Sequence, residues 1–196
     1  MKTTLRFLPG FSLGKWFGYL SAVWLFSLPF SLKAQQSMLP AAFLSANSPS
    51  NNFRPSVRDF LLYNGTNAAA PTHLPRSIHA AVGAANRLQG KPYVWGGGHR
   101  YLHDRGYDCS GAVSFVLYHA GLLRGPLTSS QFKNYGVPGP GRFITIYTKG
   151  GEHVFIAICG LRFDTSDHGA GRGDGPRWRP TARSFKGYQM RHPPGM

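Results

Sequence analysis

From Asp108 to Gly121 the chain reads Asp-Cys-Ser-Gly-Ala-Val-Ser-Phe-Val-Leu-Tyr-His-Ala-Gly, a stretch that leaves little choice of conformation. Counted from Cys109, small or apolar side chains recur at Ala112, Val113, Val116, Leu117 and Ala120, the 3, 4, 7, 8, 11 spacing of one helical face, and Gly121 supplies the stop. Asp108 suits the N-cap. A buried helix is predicted, with Cys109 opening it on the inward face. Unpaired N–H groups and the helix dipole favour an anion at that end, so a thiolate forms there more easily than in free solution. The same groups could later hold an oxyanion.

Such a helix needs an apolar partner, and 42% hydrophobic residues in 196 supply one domain's worth. A second helix is predicted from Arg76, capped by Ser77, with Ile78, Ala81, Val82, Ala85 and Leu88 on one face and Gly90 after its end. Three runs read as strands: Arg142 to Tyr147, Val154 to Ile158 and Leu161 to Ser166. Gly-containing turns join them into an antiparallel meander. The expected class is α+β, a nucleophile helix on a small antiparallel sheet.

A nucleophilic thiol needs a base. His153 heads the apolar run Val154 to Ile158 and is rigidly held at a strand rim. His119 lies too far along the cysteine helix to reach back, and His168 and His192 sit among Gly, Pro and Arg as loop residues. His99 and His103 lie in a glycine-rich loop near Asp104, without a third strong ligand for a metal. A tight reversal at Cys159 and Gly160 returns Asp164, Thr165 and Ser166 opposite His153, where one of them can orient the ring. Alternation favours Thr165, taken to continue the core face of Leu161 and Phe163, whereas chemistry favours the carboxylate of Asp164. The narrow choice is Thr165, with Asp164 and Ser166 left open. Cys159, ending an apolar strand, reads as structural. No cysteine spacing resembles a zinc site, and no metal or cofactor is expected.

Ahead of this lie Lys2, Arg6 and Lys15, an uncharged stretch from Trp16 to Leu32, then Lys33, Ala34 and Gln35, which reads as a secretory signal (residues 1–34) cut after Ala34. Residues 35–75 read as a flexible linker and 76–196 as the folded domain with a basic C-terminal extension. The whole chain carries a formal charge of +15. Basic residues are scattered rather than focused on one element, which argues against nucleic acid and suits an anionic cell envelope.

Tyr93-Val-Trp-Gly-Gly, Asp108-Cys-Ser-Gly-Ala and the Gly-x-His-Val run from Gly151 to Val154, in that order, resemble the NlpC-type cysteine peptidases that trim bacterial peptidoglycan. The resemblance spans about half the chain, from Arg76 to Ser166. It implies a papain-like core, a catalytic Cys109/His153 pair, and Tyr93, Asp108 and Ser110 lining a pocket for a stem-peptide segment. It also implies hydrolysis of the γ-D-glutamyl to diamino-acid bond. With the signal segment removed, the chain is expected to act as an exported monomer without stable membrane insertion. Such enzymes generally show His, Asn or Gln at the third position, and this chain offers Thr165 or its neighbours instead.

Overall fold

Helix α1 (Arg76–Leu88) buries the expected face, Ile78, Ala81, Val82, Ala85 and Leu88, together with Ala84. It begins directly after Pro75, whose extended backbone serves as the N-cap. Ser77 therefore lies inside the first turn instead of capping it, and its hydroxyl points to Met196 Sδ at 3.7 Å. Helix α2 (Cys109–His119) is buried continuously from Cys109 to Leu117. The apolar face foreseen for it is only part of the burial, because α2 packs against both α1 and the sheet. Ser114 is satisfied there by Leu127, whose N–H it accepts at 3.0 Å.

These elements come from a computed structural model that describes residues 56–166, 174–181 and 183–196. The signal segment, most of the linker and His168 lie outside the described residues.

Six strands form the sheet: β3 (Val137–Pro138), β4 (Ile144–Lys149), β5 (His153–Ile158), β6 (Leu161–Asp164), β7 (Arg177–Arg179) and β8 (Gln189–His192). Their order is β3-β8-β4-β5-β6-β7, antiparallel throughout. The chain is thus α+β, with the cysteine helix against an antiparallel sheet. The β4-β5-β6 meander matches the sequence pattern. Its second turn is Cys159-Gly160, with φ of 46° and 83°, the two positive values a two-residue reversal of this hand requires.

Two segments behave differently from expectation. Within the supposed linker, residues 56–75 dock on the domain, through a 3-10 turn at Val57–Asp59 and a hairpin of β1 (Leu62–Tyr63) with β2 (Ala68–Ala69). Asn86 of α1 holds both polar groups of Ala68, at 3.0 and 2.8 Å. Phe60 lies over Gly160, where an added Cβ would stand 2.7 Å from its ring. The basic tail is no appendage either. Trp178 of β7 is buried and donates its Nε1–H to Asn86 at 2.7 Å, while β8 inserts between β3 and β4.

Candidate active site

Cys109 owes its position to a backbone crossing. Tyr93 pairs with Tyr107 in a short parallel bridge, and Asp108 N–H donates to Gly97 O at 3.3 Å. A Cβ on Gly111 would strike the Gly97 carbonyl, and one on Gly97 would strike that of Gly106, so glycine alone permits this approach. Asp108 locks it: Oδ1 accepts from Gly111 N–H at 2.7 Å as the helix cap, and Oδ2 accepts from Gly96 N–H at 3.1 Å. The two motif segments thereby form one unit, with Cys109 at the start of α2 and only 8% exposed.

His153 opens β5 and donates from Nε2 to Asp164 Oδ1 at 2.8 Å. Its ring also interacts with the Cys109 side chain, for which the Asp164 bond leaves Nδ1. Burial pushes the ring's pKa down, but hydrogen bonds to Asp164 and Cys109 and their negative charge outweigh it and carry the value to about 9. At neutral pH the ring therefore holds its proton.

The carboxylate, not Thr165, meets the imidazole. Arg162 pairs with Ala157 across the β5–β6 ladder, and alternation puts Phe155 and His153 on that face together with Asp164. Thr165 shares the opposite, helix-facing side with Phe163, and among the described residues its buried hydroxyl has no hydrogen-bond partner. Alternation does put Thr165 on the face of Phe163, but His153 belongs to the opposite face, with Asp164. Ser166 contributes its backbone N–H to Asp164 Oδ1 at 3.0 Å.

Two arginines complete the cluster. Arg162 and Arg183 each donate to Asp164 Oδ2 at 2.6 Å, and the carboxylate's side chain is fully buried. Burial would raise the Asp164 pKa, but the His153 bond and charge, then Arg183, hold it below the usual carboxylate range. Arg183 also lies 4.9 Å above the Phe155 ring. The Arg162-x-Asp164 spacing could have disclosed the first pair, since residues two apart share a strand face. Arg183 follows Asp164 by 19 residues and left no local signal.

No protein-family model matches the chain, and no curated protein matches it. Among solved structures it is similar to one from Staphylococcus aureus subsp. aureus Mu50, described as similar to lipoprotein, NLP/P60 family. The identity is 17% and the TM-score 0.42, over 66% of this chain and 45% of that one. The chain thus spans less than half that protein's length.

Of the remaining candidates, Tyr93 and Ser110 lie beside Cys109 and Asp108. Tyr93 is 39% exposed, and its phenol pKa is raised by burial, then by the charges of Cys109 and Asp108, so it remains a donor. Ser110 is buried and donates to Asp108 Oδ1 at 3.0 Å. His99 Nε2 lies 3.1 Å from both Ser110 Oγ and Asp108 Oδ1, a contact the sequence did not disclose. His103 instead stacks edge-on against His119 and Phe115, and His192 Nδ1 lies 3.0 Å from Gly139 O. Among the described residues no group of three or more His, Cys, Asp or Glu side chains is arranged to hold a metal ion. Cys159 is buried in its turn, which pushes its thiol up to about 12.

Proposed function

We propose that this protein is an exported cysteine peptidase acting on peptidoglycan stem peptides. The observation that carries the reading is the cluster Cys109, His153 and Asp164: a thiol at a helix N-terminus beside an imidazole that a buried carboxylate orients. The stem-peptide substrate, the γ-D-glutamyl to diamino-acid bond, comes from the motif resemblance.

In the proposed reaction the Cys109 thiol passes its proton to His153 as the sulfur attacks the amide carbonyl, forming a C–S bond. N–H groups at the start of α2 ahead of Gly111, with Tyr93 OH, are the candidate donors for the oxyanion. As the tetrahedral species collapses the C–N bond breaks, and His153 gives its proton to the departing amine. Neutral His153 then takes a proton from water, hydroxide displaces sulfur from the thioester, and the acid product leaves with the thiolate restored. Asp164 stabilises the imidazolium in both halves.

A non-catalytic wall-binding module on the same fold would be favoured by the lack of a strong third residue, and Asp164 beside His153 speaks against it. Transfer of the acyl group to an amine instead of water uses the same thioester and differs only in its product. Location outside the cytoplasm rests on the N-terminal segment. Among the described residues no helix is long and apolar enough to cross a membrane.

The test is incubation of the purified protein with peptidoglycan and mass analysis of released fragments. Cleavage products from the native chain, absent with Cys109→Ala at an unchanged melting temperature, are expected. An intact polymer after incubation with native protein, or full activity in Cys109→Ala, would sink the proposal, and amine-ligated fragments would reassign it to acyl transfer.

A further inference from the structure

On the outer face of the sheet, beside His153, lies a cleft of about 680 Å³. It is lined by His153 and Ser166, by Lys149 and Glu152 of the β4–β5 hairpin, and by Arg183 and Lys186 of the segment before β8. Three permanent cations face one carboxylate, and the protonated ring adds a further positive charge at neutral pH. Two of the cations are already matched, Lys149 by Glu152 and Arg183 by Asp164. Lys186 is exposed and, among the described residues, takes part in no ion pair.

The direction of the chemistry says which half of a substrate meets this cleft. His153 delivers its proton to the departing amine, so the amine-bearing residue must lie against the ring, and the ring borders the cleft. Resting on the amide-hydrolase reading above, we infer that the cleft is a carboxylate subsite for the leaving half of the substrate, with Lys186 the principal counter-ion. Lys149 is a secondary one, since Glu152 shares it. A single exposed ion pair contributes little, but several cations around one concavity focus a field that discriminates an acid from its neutral isostere.

The test uses two stem peptides identical except that the diamino acid carries a free carboxylate in one and a carboxamide in the other. The ratio of kcat/KM is measured with the native chain, and the ratio of Kd with the Cys109→Ala variant, which binds without turnover. A preference of about fivefold to tenfold for the carboxylate is expected in both, weakening as salt is raised. Lys186→Ala should bring the ratio close to one, and Lys186→Glu should reverse it. Equal handling of the two peptides, or a preference that survives Lys186→Glu, overturns the subsite. Selective binding without any turnover would uphold the cleft and overturn the hydrolase reading. Turnover without selectivity would do the opposite, and absence of both binding and turnover would overturn both.

Discussion

Asp164 satisfies three side chains with two oxygens: Oδ1 takes His153, and Oδ2 takes Arg162 and Arg183. A carboxylate held on both oxygens cannot turn away, so the ring it holds is fixed as well. Asp164→Asn should lower turnover by about a hundredfold or more, because a charge-assisted bond to the imidazolium becomes a neutral one. It should also move the alkaline limb of the pH–rate profile down from about 9, since the hydrogen bond and charge of Asp164 are the main forces raising His153. Arg162 and Arg183 then lose their anionic acceptor inside the protein, at a cost of about 3 to 5 kcal/mol, so rates are compared well below the variant's Tm. Thr165→Val removes a buried hydroxyl without a described partner, and should leave turnover unchanged while keeping or raising stability by up to about 1 kcal/mol. A turnover loss confined to Thr165→Val would restore the sequence-based choice. Folding stability should follow the same groups. His153 has its pKa raised in the folded state, so its contribution is complete below pH 6.5 and lost as pH rises through about 9. The depressed Asp164 contributes above its ordinary value near 3.8, and that contribution is lost as pH falls through the folded value. Denaturant melts at pH 5, 7 and 10 should therefore be weakest at pH 10, and Asp164→Asn should flatten the alkaline fall.

At the level of elements, the nucleophile depends on how closely the glycine loop approaches α2. Gly111→Ala puts a methyl into the Gly97 carbonyl, backbone that cannot step aside as a side chain would. The expected cost is about 2 to 4 kcal/mol, together with a large loss of turnover as Cys109 shifts from His153. Gly83→Ala in α1 is the control. Nothing lies within 4 Å of the added methyl, and alanine favours the helix by about 0.5 to 1 kcal/mol. Thermal melts of the two variants should move in opposite directions; equal shifts would refute the close-approach account. The meander was legible because a two-residue reversal between strands of six and four residues allows few registers. The depth of α2 was not, since a period of 3.6 identifies one buried face and says nothing of what covers the others.

Across the whole molecule, the C-terminal segment makes the sheet continuous. β8 lies between β3 and β4, and Phe143 N–H donates to Met196 O at 3.1 Å, so the final residues close the fold. Deleting residues 188–196 would uncover the β4 edge, leaving unpaired backbone groups that invite association. The truncated chain should elute as aggregate on size-exclusion chromatography and lose its cooperative melt; a monomer with a native melt would return the tail to the status of an appendage. The chain leading into β8 supplies Arg183 to the buried carboxylate, so the C-terminal part serves stability and the candidate site together.

What the sequence by itself determined was local: the α2 cap at Asp108, Cys109 at its start, His153 at a strand rim, and the Cys159-Gly160 reversal. Each depends on residues within a few positions of one another, where helical period, strand alternation and turn chemistry leave readable marks. Alternation could say that Asp164 and Thr165 face opposite ways, but not which way His153 faces, because both sides of β5 are buried and neither is marked by polarity. Tertiary structure decided that, by setting α1 and α2 against Val154, Ile156 and Ile158 and the tail against Phe155. It also decided the placement of Arg183 and β8. Strand pairing and ion pairing between distant segments are selected by packing of the whole chain, which imposes no short period on the sequence.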